Sequence, residues 1–116
     1  MVHQEKDLRE LVIKTARSMN ALGINVNKSG NVSVRARVGE LDGFWITPTG
    51  IAYEDLVARD IVFVALDGMP HEEFAKQRKA SSEWLMHAEV YRHRLDVEAI
   101  VHTHSVYATA LACQDL

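Results

Sequence analysis

The chain has a single cysteine, Cys113, among its 116 residues. That excludes an intramolecular disulfide framework and a cysteine-built zinc site, and it suits a reducing compartment. Positive charge is not in surplus either: 13 Lys and Arg stand against 16 Asp and Glu, a formal net charge of -3. Such a balance leaves no electrostatic footprint for nucleic acid or for an anionic membrane surface, so neither partner is expected. Any phosphate bound here must be held by local donors. Long apolar runs are missing too. The N-terminal segment alternates charge with apolar side chains, which is neither a signal-peptide core nor a membrane span. By default the chain is expected in the cytoplasm. Repeats, linkers and low-complexity tracts are absent. What remains is 47% hydrophobic and 25% charged, the composition of one small globular domain with a modest core.

Leu8, Leu11, Val12, Thr15, Ala16, Met19 and Leu22 recur at helical spacing with charges between them, and Gly23 is a plausible stop. The period then changes. Val32, Val34 and Ala36 alternate with Ser33, Arg35 and Arg37, as in a half-buried strand. The turn-rich stretch from Val38 to Gly43 leads to a second short strand at Phe44 to Thr47, so a hairpin is expected before Pro48-Thr49-Gly50 breaks it. Ile61 to Leu66 is an apolar, largely β-branched run ended by Asp67-Gly68, a strand and a turn. Trp84, His87, Ala88 and Tyr91 mark another helix. Val97 to His104 reads as a buried strand, and Ser105 can cap a last helix through Cys113. This order predicts a layered α/β domain with a mixed or antiparallel sheet.

Four short motifs can carry chemistry. His102-Thr103-His104 ends a predicted strand, where alternation sends both imidazoles to one face, close enough to share a metal ion. Neutral imidazole is a good zinc ligand, although two histidines can also merely share a face. Ser81-Ser82-Glu83 precedes a helix, whose first N–H groups and two hydroxyls can receive an anion or can simply form a cap. Ser29-Gly30-Asn31 and Thr47-Pro48-Thr49-Gly50 are small-residue turns at strand ends, able to bring backbone N–H groups close to a ligand or to serve as ordinary turns. Singly, none is specific.

In order they are. Gly30-Asn31-Val32-Ser33, Ile46 to Gly50, Ser81-Ser82-Glu83-Trp84 and Val101-His102-Thr103-His104 together resemble the fuculose-phosphate aldolase branch of the class II aldolase/adducin superfamily. The resemblance runs from the first helix onward and corresponds to the N-terminal half of such an enzyme. It implies an α/β/α fold of the class II aldolase type with a largely antiparallel or mixed central sheet and the C-terminal part missing, so that residues 1–116 form a truncated N-terminal domain portion. It also implies a zinc ion or another divalent metal on His102 and His104, with Glu83 as acid/base and a further metal contact. Substrate phosphate falls to Gly30, Asn31, Thr49, Gly50, Ser81 and Ser82. The implied reaction is cleavage of a ketose 1-phosphate to dihydroxyacetone phosphate and an aldehyde, in a homotetramer.

The chemistry suits the residue types. Cleavage leaves a carbanion beside a carbonyl, whose charge a divalent cation stabilises, while a carboxylate within reach moves the proton. Departures from the family pattern are Ala80 before the serine pair and Leu95, both at positions where proline is frequent. A third histidine ligand and a tyrosine acid would come from sequence beyond Leu116, so the chain as written is expected to bind metal weakly and to turn over negligibly. His3, His71, His87 and His93 are left out of the site. Within the family, a sugar-phosphate epimerase and methylthioribulose-phosphate dehydratase are alternatives, and Glu83 favours the aldolase where the epimerase would carry aspartate. An adducin-like interaction module is the non-catalytic alternative, which His102 and His104 argue against.

Overall fold

The computed structural model describes residues 5–22 and 30–103. Helix α1, Glu5–Ala21, opens the chain and is followed by strands β1, Asn31–Val38, β2, Leu41–Ile46, and β3, Val62–Ala65. Helix α2, Trp84–His93, and strand β4, Ala99–His102, complete the described part. The strands form one antiparallel sheet in the order β3-β2-β1-β4. The expected helix that follows the last strand, from Ser105, lies outside the described residues.

Each sheet face has its own helix, and the strand alternation sorts side chains between them. On one face Val12, Ile13, Ala16 and Met19 of α1 pack with Val32, Val34, Trp45 and Phe63. On the other, Ala88 and Tyr91 of α2 pack with Phe44, Ile46 and Val62. The layered α/β/α arrangement expected from the sequence is therefore present, with an entirely antiparallel sheet among the described strands. The apolar stripe of α1 differs in detail from the expected one. Ile13 turns inward, while Leu11 is half exposed and Leu22 lies in water.

Three strand expectations need correction. β1 is not half-buried: Asn31, Val32, Ser33 and Val34 are all buried, because α2 covers the face that carries the polar residues. β2 begins at Leu41 rather than Phe44, since the turn contracts to Gly39-Glu40 between paired Val38 and Leu41. Gly39 adopts φ 61°, the left-handed value a two-residue hairpin demands. β4 is not a buried strand. Among the described strands it lies at one edge of the sheet, beyond those that α1 covers, and Val101 is 48% exposed beside Val32.

Arginines tie the layers together. Arg17 on α1 donates to the carbonyls of Tyr53, Glu54 and Leu56, fastening the helix to a one-turn 3-10 segment. Arg35 on β1 donates to the carbonyls of Tyr91, Arg94 and Val97, satisfying groups at and beyond the end of α2 that the helix itself leaves open. At the far edge of the sheet Gln77 stands in for a missing strand. Its amide oxygen accepts from Phe63 N–H at 2.7 Å and its amide nitrogen donates to Phe63 C=O at 2.9 Å. No described helix is long and apolar enough to cross a membrane.

Candidate functional site

Backbone pairing assembles the two loop motifs. Thr47 N–H donates to Val32 C=O at 3.1 Å, and Ser81 N–H to Thr47 C=O at 3.0 Å. Thr49 N–H reaches Lys79 C=O at 3.0 Å, with Pro48 bridged to Ala80. Ala80, the departure from proline, thus sits within this short ladder. In consequence the Thr49-Gly50 turn lies alongside Ser81-Ser82, although the two are more than thirty residues apart in sequence. Gly50 has φ 80°, a left-handed conformation that strains any side chain. Thr49, Gly50 and Ser82 are exposed, whereas Gly30, Asn31 and Ser81 are buried. Gly30 is fixed through its carbonyl, which accepts from the Tyr53 hydroxyl. Burial of that phenol pushes its pKa up to about 12, so it stays a donor.

Glu83 stands at the cap position of α2, with its own N–H 3.4 Å from Ser81 Oγ. Its carboxylate is held from two sides. Asn31 Nδ2 donates to Oε1 at 3.1 Å, and His102 Nδ1 lies 3.0 Å from Oε2. The sheet register explains the convergence, because Asn31 on β1 is paired directly with His102 on β4. Alternation places both on the face that α2 covers. The structure therefore brings Glu83, Asn31 and His102 together beside the Ser81 loop. His104 lies outside the described residues.

Beneath Asn31 sits a layer that the sequence reading left out. His87, one helical turn after Glu83, is fully buried. Its Nε2 meets Asn31 Oδ1, and its Nδ1 lies 2.6 Å from Ser33 Oγ. Ser33 Oγ is in turn 2.7 Å from the Tyr91 hydroxyl. Burial first, and then the electrostatic influence of nearby His102, lower the His87 pKa to about 4, against a smaller opposing pull from Glu83. The imidazole is neutral at pH 7. Tyr91 is pushed up to about 12, chiefly by burial. His87 is a buried, hydrogen-bonded histidine, yet one of its partners is a candidate site residue. The signal was present: Glu83 and His87 are four apart on one helix, and Asn31 and Ser33 two apart on one strand.

Glu83 and His102 offer two donors at an ion-pair distance that a divalent ion could also take. Two ligands, each about 2.1 Å from one zinc ion, stand roughly 3.0–3.4 Å apart, and the Glu83 to His102 separation agrees with that. An oxygen and an imidazole nitrogen are also the donor types such an ion takes. Among the described residues, no group of three or more His, Cys, Asp or Glu is placed to enclose a metal. His71 and His93 pair instead with Asp67 and Glu89, well apart in sequence and each on a single local element.

Residues 10–116 match the family described as the Class II Aldolase and Adducin N-terminal domain. The chain is 44% identical over 106 residues to a 5-methylthioribulose-1-phosphate/5-deoxyribulose-1-phosphate aldolase of Rhodospirillum rubrum, an alignment covering 91% of this chain and 44% of that protein. It is 42% identical over 109 residues to the L-fuculose phosphate aldolase of Escherichia coli strain K12, covering 94% and 47% of the two chains. Among solved structures, an L-fuculose 1-phosphate aldolase superposes with a TM-score of 0.77 at 34% identity, covering 98% of this chain and 50% of that one. The chain spans about half the length of the curated relatives it matches.

Proposed function

This chain belongs to the class II aldolase and adducin N-terminal domain family, and from that premise we propose that it serves metal-dependent aldol cleavage of a ketose 1-phosphate to dihydroxyacetone phosphate and an aldehyde. The observation that carries the proposal is the Glu83 carboxylate, held between the Asn31 amide and the His102 imidazole beside the Ser81 loop. Cleavage passes the proton of the C4 hydroxyl to solvent, turns C4 into the aldehyde carbonyl as the C3–C4 bond breaks, and leaves that bond's electron pair on C3, next to the C2 carbonyl. Glu83 delivers a proton to C3, and in the reverse direction its carboxylate removes one from dihydroxyacetone phosphate. His102 and Glu83, with His104, would hold the divalent ion, zinc in the first instance, and when bound it supplies Lewis acidity at the carbonyl oxygen. The substrate phosphate is assigned to Gly30, Asn31, Thr49, Gly50, Ser81 and Ser82. Neutral donors suit a chain whose overall charge is negative.

Proton exchange on dihydroxyacetone phosphate isolates the step given to Glu83. In deuterated water, Glu83→Gln in a full-length version of the enzyme keeps the shape of the side chain and should lower the exchange rate on the order of a hundredfold, with phosphate binding retained. Undiminished exchange in that variant would move the base to another residue. His102→Ala should lose most bound zinc, whereas His93→Ala should keep it.

A further inference from the structure

Tyr91, Ser33, His87 and Asn31 form a buried hydrogen-bonded run in which no member is more than 1% exposed. Its polarity follows from the inventory of donors and acceptors. An ionised Glu83 only accepts, so Asn31 turns its Nδ2 to Oε1, at 3.1 Å. That leaves Asn31 Oδ1 facing His87 Nε2, which must then carry the ring proton. A neutral imidazole protonated at Nε2 has its lone pair at Nδ1, where it accepts the Ser33 hydroxyl proton across 2.6 Å. With that proton committed, Ser33 Oγ accepts from Tyr91 O–H at 2.7 Å. Every donor in the run points from Tyr91 towards Glu83. Turning the Asn31 amide over would set its NH2 against the His87 N–H and its oxygen against the carboxylate, two repulsive contacts in a dry interior.

We propose that His87 is a positioning residue: with its proton on Nε2 it locks the Asn31 amide from beneath, and so fixes the direction in which the Glu83 carboxylate faces. The functional meaning rests on Glu83 being the acid/base group proposed above, while the lock itself does not. A phenyl ring could fill the same space beside Phe44, whose ring centroid is 6.3 Å from that of His87, but it could not hold the amide. Glutamine can place its amide nitrogen near the position of Nε2 and can hold it. The role therefore belongs to one N–H group rather than to bulk.

Two signals in the metal-free chain test this without any turnover. Long-range 1H–15N correlation at neutral pH should show His87 as a neutral ring protonated at Nε2. The Asn31 side-chain amide pair should be protected from exchange with water in the wild type and in His87→Gln, and should lose that protection in His87→Phe. A ring protonated at Nδ1, or an imidazolium, would overturn the proposal, as would an Asn31 amide equally protected in the phenylalanine variant. If His87→Phe fails to fold, the wild-type tautomer alone decides. Failure of a full-length enzyme carrying this half to exchange protons on dihydroxyacetone phosphate would count against the function given to Glu83 and would leave both of these signals as they are.

Discussion

Burying a histidine makes a chain sensitive to mild acid. In the folded chain His87 titrates at about 4, against 6.5 for the unperturbed side chain. Burial disfavours the cation, and the electrostatic influence of His102 acts in the same direction, against a smaller pull from Glu83. Between these two values the unfolded chain binds a proton that the folded chain refuses. The stability carried by His87 is therefore intact above about pH 6.5, falls as pH drops towards 4, and amounts to roughly 3 kcal/mol across that window. Denaturant unfolding of the metal-free chain at pH 7 and pH 4.5 measures it. His87→Gln has no proton to take up, so its unfolding free energy should change less than that of the wild type between the two conditions. Equal losses in both proteins would assign the acid sensitivity to other groups.

Among the elements, the β2–β3 pair depends on one missing methyl group. A Cβ built on Gly43 would stand 2.2 Å from Val64 O and 2.6 Å from Phe63 Cζ, and the first of these is backbone that cannot swing aside. Gly43→Ala should cost about 3 kcal/mol or prevent folding, by prising β3 from β2. Gly39 is the control, since a Cβ there meets nothing within 4 Å and only its φ of 61° is strained. Gly39→Ala should cost about 1 kcal/mol, and thermal melts of the two variants compare them directly. A Gly43→Ala melt no lower than that of Gly39→Ala would refute the clash. Local pattern revealed α1, the hairpin, β3 and α2, because period and turn chemistry are properties of neighbouring residues. It misjudged exposure. Ser33 and Arg35 look like a solvent face until α2, some fifty residues later, is laid over them. Val101 looks like core, yet among the described strands β4 is an edge. The same distance hid the meeting of His87 with Asn31, since helical period set His87 on the inner face but could not name what lies opposite. The ordered motifs still brought Glu83, Asn31 and His102 into one candidate site, because the order of segments along a chain survives where distances cannot be read.

At the scale of the whole molecule, the candidate site exists only when the sheet is complete. Asn31, Ser81, Glu83 and His102 come from β1, a loop, the start of α2 and β4, and the register of β1 with β4 is what sets two of them side by side. An ion bound there must therefore stabilise the folded state by mass action. At free zinc a hundredfold above its dissociation constant the gain is about 2.7 kcal/mol, visible as a rise in melting temperature that a chelator reverses. His102→Ala should abolish the rise, and an undiminished rise in that variant would place the ion elsewhere. The opposite edge of the sheet has a different fate. β3 would be the natural template for an incoming strand from another polypeptide, yet the Gln77 amide already takes both polar groups of Phe63, and Gly68 N–H donates to Ala65 C=O. A newcomer must evict an intramolecular partner that is always present at high local concentration before it gains its first bond. One side-chain amide thereby occupies the groups through which another strand would add, which disfavours edge-to-edge pairing at that margin.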